Sequence, residues 1–343
     1  MGDGGPGVPW GVLALVLIAA AAMSAALIVA LQPPLVRYAL ARPNARSSHR
    51  EPTPQGGGIA VVVAALASLW VGLALSAFDL AAEAQLPALT LAALALALIG
   101  AIDDIRALGA ALRLVLQTLA VGAVLATLPV EFSILPRLPW GLELAILLVG
   151  GVWFVNLVNF MDGIDWMTVA EVVPITAGVA LLGLIGAAPM PAVLVALALL
   201  GAMIGFAPFN RPVARLFLGD VGSLPIGLML GWVLLMLAGR GHLAAAVLLP
   251  LYYLADATIT LGRRLIKREP VWQAHRTHFY QRATDRGFAV SEIVVRVFVL
   301  NLALAALALV SAIEPDIRVD LATLALGGAM VAWLLVTFTR GKP

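Results

Sequence analysis

Two adjacent carboxylates, Asp103 and Asp104, follow a segment without any charge from residue 86 to residue 102. Like charges this close repel, and partial desolvation makes each ionised form more costly. Adjacent side chains on a helix point about 100° apart, so both could lean toward one ion. A hard divalent cation would relieve the repulsion. A third acid for the same ion is Asp220, in a Gly-Asp-Val-Gly-Ser turn that predicts the start of a helix.

A second polar group lies in the segment from residue 156 to residue 167. Asn156, Asn159, Asp162 and Asp165 recur at every third position, which places all four near one face if the segment is helical. Gly163 permits a turn between the two acids. Helix capping is the simpler explanation, but four amide or carboxylate groups beside aromatic residues at a membrane surface favour a binding role.

Nitrogen-bearing side chains cluster between residues 263 and 288, where His275, Arg276, His278 and Arg282 fall within eight residues. Two histidines three positions apart could bind zinc, but no cysteine is present to complete such a site. A basic patch for anionic lipids is the stronger alternative. The aromatic residues between these side chains favour a phosphate clamp, because they add stacking to charge.

Further donors stand beside the acids along the chain. Arg50 precedes the Gly-rich turn at residues 56–58, which is either a simple turn in a basic loop or a set of amides that face an anion. Arg113 forms either an ion pair with the Asp pair or a phosphate contact. Asn210 and Arg215 precede Asp220 and supply more donors.

Composition indicates a membrane protein rather than a soluble one, since 62% of residues are hydrophobic, 12% are charged and the mean hydropathy is +1.03. The apolar stretches are Ala/Leu-rich and do not alternate, which predicts an all-α fold of about eleven transmembrane helices in a single domain, residues 1–343. The absence of cysteine excludes disulfides and thiolate metal sites. The predicted spans are 9–31, 57–77, 86–102, 110–128, 140–158, 167–186, 188–207, 222–238, 242–262, 289–312 and 319–338.

Basic residues set the expected orientation. With the N-terminus outside and the C-terminus inside, only Arg137, Arg240 and Arg318 of the 21 Lys and Arg fall outside, and Arg296 lies within a span. The ninth span holds Asp256, which is either functional or paired with a neighbouring arginine. The polar loops then share the cytoplasmic side; they are residues 37–56, 102–113, 156–171, 208–223 and 263–288.

Five blocks in this order resemble the polyprenyl-phosphate N-acetylhexosamine-1-phosphate transferases, the glycosyltransferase family 4 enzymes that include MraY and WecA. The blocks are residues 47–58, 100–106, 159–167, 210–223 and 275–282. The resemblance implies transfer of a sugar-1-phosphate from a UDP-sugar to polyprenyl (undecaprenyl) phosphate, with release of UMP and use of Mg²⁺ or Mn²⁺. It also implies a place in a bacterial or archaeal cytoplasmic membrane, at the first membrane step of surface glycan biosynthesis.

The resemblance also suggests roles residue by residue. Asp220, Asp103 and Asp104 would bind the metal, with the Asp pair and His278 at the catalytic centre. Trp166-Met167 replaces the Gly-Leu common in the family, and His-Arg-Thr-His replaces the consecutive histidines of MraY. Both departures argue against a muramyl-pentapeptide substrate, and the His-Arg-Thr-His version resembles the branch that initiates O-antigen or related surface glycans. The substrate-binding residues would be Arg50, Asn159, Asp162, Asp165, Asn210, Arg215, His275, Arg276 and Arg282.

Two other functions fit parts of the pattern. A membrane prenyltransferase also holds diphosphates with Asp-rich motifs and Mg²⁺, but the Asn-x-x-Asp-Gly-x-Asp block argues against it. A secondary transporter would show internal repeats and acids at mid-membrane, whereas these acids cluster at one face. The expected partners are a UDP-sugar, polyprenyl phosphate and the bilayer, with a homodimer as one option and no nucleic acid. A phosphate monoester is largely a dianion at pH 7, which favours its direct attack on the sugar-bearing phosphorus.

Overall fold

The structure is a computed structural model that describes residues 8–41, 52–76, 84–270 and 275–342. These residues form thirteen helices and one short pair of antiparallel strands, β1 (Leu40–Ala41) and β2 (Thr53–Pro54). The helices are α1 (Trp10–Tyr38), α2 (Gly57–Leu75), α3 (Gln85–Ile105), α4 (Ala110–Leu125), α5 (Trp140–Met161), α6 (Met167–Leu184), α7 (Met190–Asn210), α8 (Asp220–Gly239), α9 (Leu243–Leu248), α10 (Leu251–Ile266), α11 (Phe279–Asp285), α12 (Val290–Ile313) and α13 (Ile317–Arg340).

Nine helices within the described ranges are long and apolar enough to cross a membrane, namely α1, α2, α3, α5, α6, α7, α8, α12 and α13. Each coincides with a span expected from the sequence, so the all-α, multi-pass membrane architecture is confirmed. A tenth expected span is α4, which is apolar but only 16 residues long.

The ninth expected span, residues 242–262, is not one continuous helix. It is divided into α9 and α10, with Pro250 immediately before α10. Proline has no amide hydrogen and its ring clashes with the carbonyl four residues earlier, so a helix breaks at this position. The expectation of an unbroken helix here was wrong.

Helix α8 forms the centre of the bundle. In its most apolar 18-residue stretch 89% is buried, whereas the corresponding figure for α1 is 22%. It packs against α2, α3, α5, α7 and α9. Its first turn touches neighbouring backbones directly, since a Cβ at Gly58 would lie 2.2 Å from Gly222 Cα, and a Cβ at Gly100 would lie 2.2 Å from the Asp220 carbonyl oxygen. The glycines therefore bring the start of α2 and the end of α3 against the start of α8.

The Gly-rich turn before α2 serves packing rather than anion binding. Gly56 has a φ of +109°, as the run of glycines allows. The Gly57 amide donates to the Phe217 carbonyl at 2.9 Å, and the Gly58 amide donates to the Leu218 carbonyl at 2.8 Å. These amides already have acceptors, so the alternative in which they face an anion was wrong. The preceding residue Arg50 lies outside the described residues.

Candidate active site

Asp103, near the end of α3, pairs with Arg113 of α4. Arg113 Nη1 lies 2.6 Å from Asp103 Oδ2, and the Leu108 amide donates to Asp103 Oδ1 at 2.5 Å. Both carboxylate oxygens therefore have a donor, and the side chain is only 7% exposed. The ion-pair alternative for Arg113 is thus confirmed, and a phosphate contact by its guanidinium stays a prediction.

Asp104 turns instead toward the start of α8. Its Oδ1 accepts from the Asp220 amide at 3.0 Å and its Oδ2 accepts from the Val221 amide at 3.2 Å. Gln55 Nε2 donates to the same Oδ1. Free amides and the helix dipole make a helix N-terminus suited to an anion, and here that anion is Asp104 itself. The two adjacent carboxylates thus have different partners, and Asp104 fixes the position of Asp220.

Asp220 is the first residue of α8, and its side chain is 28% exposed. Its Oδ1 accepts from Asn159 Nδ2 at 2.8 Å, while its Oδ2 lies 3.9 Å from Arg113 Nη1. Asn159 Nδ2 also donates to Ser223 Oγ at 2.9 Å, which ties the end of α5 to the start of α8. Among the three acids, Asp220 Oδ2 is the carboxylate oxygen that is least engaged by donors in the described part of the chain.

The Asn-x-x-Asp-Gly-x-Asp block is helical only in its first half, because α5 ends at Met161. The condition for one helical face shared by all four polar residues is therefore not met beyond Met161. Gly163 explains the change of direction: a Cβ there would lie 2.1 Å from Tyr280 Oη, so the loop packs directly on α11. Asp162 accepts from Thr168 Oγ1. Burial raises the pKa of Asp162 to about 6, and the nearby charges of Asp104 and Asp165 act in the same direction.

Asp165 and Asn210 hold two loops together. Asp165 Oδ2 accepts from the Ala214 amide at 2.9 Å, and Asn210 Oδ1 accepts from the Trp166 amide at 2.8 Å. Both side chains are buried. These contacts fix the loops on either side of the acids, and direct contact of either residue with a nucleotide stays a prediction.

His278 is oriented by Asp256, so the partner of that buried acid is a histidine rather than an arginine. His278 Nδ1 lies 3.0 Å from Asp256 Oδ1, and the same carboxylate accepts from the Phe279 and Tyr280 amides at 3.1 and 3.2 Å. Asp256 therefore caps α11 and leaves Nε2 as the free ring nitrogen of His278. His275 stacks on His278 with ring centroids 4.9 Å apart.

The remaining cationic candidates occupy different places. Arg276 donates to Thr284 Oγ1 at 2.9 Å and lies 3.4 Å from Asp285, so it faces the end of α11. Arg215 is exposed, and Arg282 is half-buried. Substrate contact by these three arginines stays a prediction.

The donor set fits a magnesium ion that shares its coordination with substrate. Within the described ranges, no three His, Asp or Glu side chains form a ready-made metal cluster. Mg²⁺ usually takes only one or two carboxylates and completes its shell with water and substrate phosphates. The available Asp220 Oδ2, with the Asp103 carboxylate beside it, meets that requirement.

Two positioning residues were not identified from the sequence. Gln55 and Thr168 had no signal beyond their presence beside motif residues, and their partners Asp104 and Asp162 appear only in the folded chain. A further contact, between Asn156 and Gln117 Oε1 at 2.6 Å, joins α5 to α4. Asp256 did carry a signal, since an acid within an apolar segment is unusual.

The family model described as Glycosyl transferase family 4 matches residues 86–238. The matched region contains both members of the Asp pair, the Asn-x-x-Asp-Gly-x-Asp block and Asp220. It ends before Asp256 and His278, whose side chains meet at the start of α11, the helix that packs on the loop at Gly163.

Relatives of known name match a wider part of the chain. A decaprenyl-phosphate N-acetylglucosaminephosphotransferase from Mycolicibacterium smegmatis is 32% identical over 252 residues, which cover 67% of this chain and 61% of that protein. A probable undecaprenyl-phosphate N-acetylglucosaminyl 1-phosphate transferase from Bacillus subtilis is 24% identical over 261 residues, covering 73% and 71%. A phospho-N-acetylmuramoyl-pentapeptide-transferase from Enterococcus faecalis is 34% identical over 129 residues, covering 35% and 39%. Together with the sequence blocks, these matches show that the chain is similar to the glycosyl transferase family 4 proteins, and that the family's own model fits residues 86–238.

Proposed function

We propose that the protein transfers a sugar-1-phosphate, an N-acetylhexosamine phosphate, from a UDP-sugar to a polyprenyl phosphate and releases UMP. The observation that carries this proposal is that Asp103 and Asp220 both lie beside the Arg113 guanidinium, while Asn159 donates to the other oxygen of Asp220. Acids, an amide and a cation at one face of a membrane bundle suit a charged diphosphate and a divalent cation. The names of the related proteins support the same reaction class.

Asp220 is the proposed principal metal ligand, and Asp103 is the proposed second ligand. Bound Mg²⁺, or Mn²⁺ in its place, would neutralise charge on the diphosphate. Arg113 lies between the two carboxylates, 2.6 Å from Asp103 and 3.9 Å from Asp220, and so adds positive charge where phosphate oxygens would approach. Asp104 holds the first turn of α8 in place and is a positioning residue in this scheme.

The lipid phosphate is the proposed nucleophile. Its dianionic form at pH 7 needs no general base, so positioning and charge neutralisation suffice. The proposed role of His278 in the reaction uses its Nε2 atom, because Nδ1 is hydrogen-bonded to Asp256. The charge of Asp104 raises the pKa of Asp162, which supports the proposal that the loop holding Asp162 lines the nucleotide beside the acids.

The proposal has two further parts. The reaction belongs to the synthesis of O-antigen or a related surface glycan, and the active site faces the cytoplasm. The His-Arg-Thr-His sequence and the distribution of Lys and Arg support these two points.

The test is UMP release by purified protein with undecaprenyl phosphate and a panel of UDP-sugars. Activity should disappear with EDTA and return with Mg²⁺ or Mn²⁺. Asp220→Asn should lower kcat by about 10²-fold or more, in line with loss of a charge-stabilising group. The matched control is Asp316→Asn, because Asp316 caps α13 through the Arg318 amide and contacts none of the acids above. Turnover that survives thorough chelation, or an Asp220→Asn variant with normal kcat, would contradict the proposal.

A further inference from the structure

A groove between α12 and α13 has no role in the proposed reaction. It encloses about 530 Å³ and is lined on α12 by Val295, Val299 and Ala303 and on α13 by Ala329, Met330 and Trp333. One charged side chain, Arg296, lines it among these apolar groups. The volume is in the range of sites that hold small molecules.

Arg296 is an exposed cation inside a membrane helix. It is the seventh residue of α12, about 9 Å from the start of the helix at 1.5 Å per residue. Its guanidinium lies 5.3 Å from the centre of the Phe288 ring and forms no ion pair within the described residues. A charge at this depth is costly unless an anion accompanies it.

The nearest acid, Glu292, is already engaged. Its Oε1 accepts from Lys342 Nζ at 2.9 Å, and its Oε2 accepts from the Ala289 amide at 2.9 Å. Glu292 still reduces the local positive charge, but it leaves the hydrogen-bonding groups of Arg296 for another anion.

The rim above the groove is basic. The Lys342 amide donates to the Arg286 carbonyl at 3.1 Å, so the end of α13 packs on the segment that precedes α12. Arg340 and Lys342 are exposed on this rim. Trp333 is 66% exposed, and tryptophan favours the level of lipid headgroups. Basic residues beside a membrane attract anionic lipids.

We propose that this groove binds one anionic phospholipid of the surrounding bilayer, with an acyl chain against the apolar lining and the headgroup phosphate on Arg296. Charge complementarity selects this occupant over a zwitterionic lipid. In the alternative, the Arg296 side chain extends along the helix to the membrane–water interface, and no specific lipid is required. The site is separate from the residues proposed to act on the UDP-sugar, and its test does not depend on transferase activity.

The experiment uses the full chain in neutral detergent and compares phosphatidylglycerol with phosphatidylcholine that has the same acyl chains. Native mass spectrometry and the Tm are measured for the wild type, Arg296→Leu, Arg296→Lys and Arg240→Leu. Arg240 is an exposed arginine at the opposite end of the bundle, after α8, and serves as the matched control. The wild type, Arg296→Lys and Arg240→Leu should each retain one phosphatidylglycerol and show a higher Tm with it. Arg296→Leu should lose both effects, with a drop in bound lipid of about tenfold.

A second variant, Ala329→Trp, fills the groove without a change in charge and should also lose the bound lipid. If Arg296→Leu does not fold, the lipid binding of Ala329→Trp tests the proposal instead. The proposal is overturned if the two lipids bind equally, or if Arg296→Leu and Ala329→Trp retain phosphatidylglycerol. It is also overturned if polyprenyl phosphate displaces the lipid at equimolar concentration, or if a second copy of the chain covers the groove.

Discussion

The Asp256 carboxylate and the His278 ring form a buried pair across 22 residues of sequence, with 3.0 Å between Oδ1 and Nδ1. Both side chains are almost fully buried, at 0% and 3% exposure. Since an ionised carboxylate only accepts hydrogen bonds, this contact requires a proton on Nδ1 of His278. One acid therefore sets both the tautomer of His278 and the position of α11.

Asp256→Asn should lower kcat by about 10²-fold, because an amide no longer fixes the tautomer of His278. The effect should act through the histidine. In a His278→Gln background the same substitution should therefore have less than about a twofold further effect on kcat. Equal effects in both backgrounds would show that Asp256 acts independently of His278. Asp316→Asn, on α13, is the control and should keep wild-type kcat.

Gly100→Ala should separate α3 from α8. The added Cβ would lie 2.2 Å from the Asp220 carbonyl oxygen, and such overpacking costs about 1–3 kcal/mol. The Asp104 contacts with the α8 amides should lengthen, so both the Tm and kcat should fall. Gly150→Ala is the matched control, since nothing lies within 4 Å of its Cβ, and an alanine inside a helix should leave the Tm unchanged or higher. A Gly100→Ala protein with wild-type Tm and kcat would contradict the close packing described here.

Local patterns in the sequence predicted most of the helices and offered the ion pair of Arg113 with the Asp pair, but they predicted none of the more distant contacts between helix ends. Apolar length identifies a span because each span must cover the bilayer with satisfied backbone groups. The cap of α8 by Asp104 joins residues 116 positions apart, and the tie between Asn159 and Asp220 joins residues 61 positions apart. Such pairs depend on how the helices pack, which hydrophobic patterns do not specify.

The end of α5 shows a second limit of local reasoning. A polar residue at every third position predicts a helical face through Asp165, yet the helix stops at Met161. The competing interaction is tertiary, because α11 packs where a Cβ at Gly163 would stand. The motif therefore continues past the helix into a loop, and a shared role for its residues stays a prediction.

The raised pKa of Asp162 predicts a pH-dependent stability. Its pKa in the folded state is about 6, against an ordinary value of 3.8, so the folded protein binds this proton more tightly than the unfolded one. The associated stability is complete below pH 3.8 and is lost as the pH rises through 6. Without divalent cation, the Tm of Asp162→Asn relative to the wild type should therefore increase between pH 5 and pH 7.5. The corresponding difference for Gly150→Ala should stay constant, and a constant difference for Asp162→Asn would refute the prediction.

The proposed orientation can be tested with single cysteines, since the chain has none of its own. Glu131 lies between α4 and α5, Lys342 follows α13, and both are exposed. In intact cells, an impermeant thiol reagent should label Glu131→Cys, while Lys342→Cys should react only after the membrane is permeabilised. The reverse pattern would place the acids and His278 on the outer side.

The bonding of the acid pair bears on the order of chemical events. A covalent intermediate would require Asp103 or Asp104 to attack phosphorus with a carboxylate oxygen. Both oxygens of Asp103 accept hydrogen bonds, from Leu108 and Arg113, and both oxygens of Asp104 accept them from the first amides of α8. Hydrogen bonding and charge pairing lower the nucleophilicity of a carboxylate. The lipid phosphate brings its own dianionic oxygen, so a protein nucleophile removes no chemical difficulty.

We therefore expect both substrates to bind before UMP leaves. Initial rates measured at several concentrations of UDP-sugar and polyprenyl phosphate should give intersecting double-reciprocal lines. Labelled UMP should not exchange into UDP-sugar when lipid is absent, because no sugar-phosphate is ever held by the protein. A two-step route would instead release UMP first and give parallel lines together with lipid-independent exchange. That pair of results would mean that Asp103 or Asp104 gives up hydrogen bonds and forms a covalent bond to phosphorus during turnover. The arrangement of donors around both residues disfavours this step.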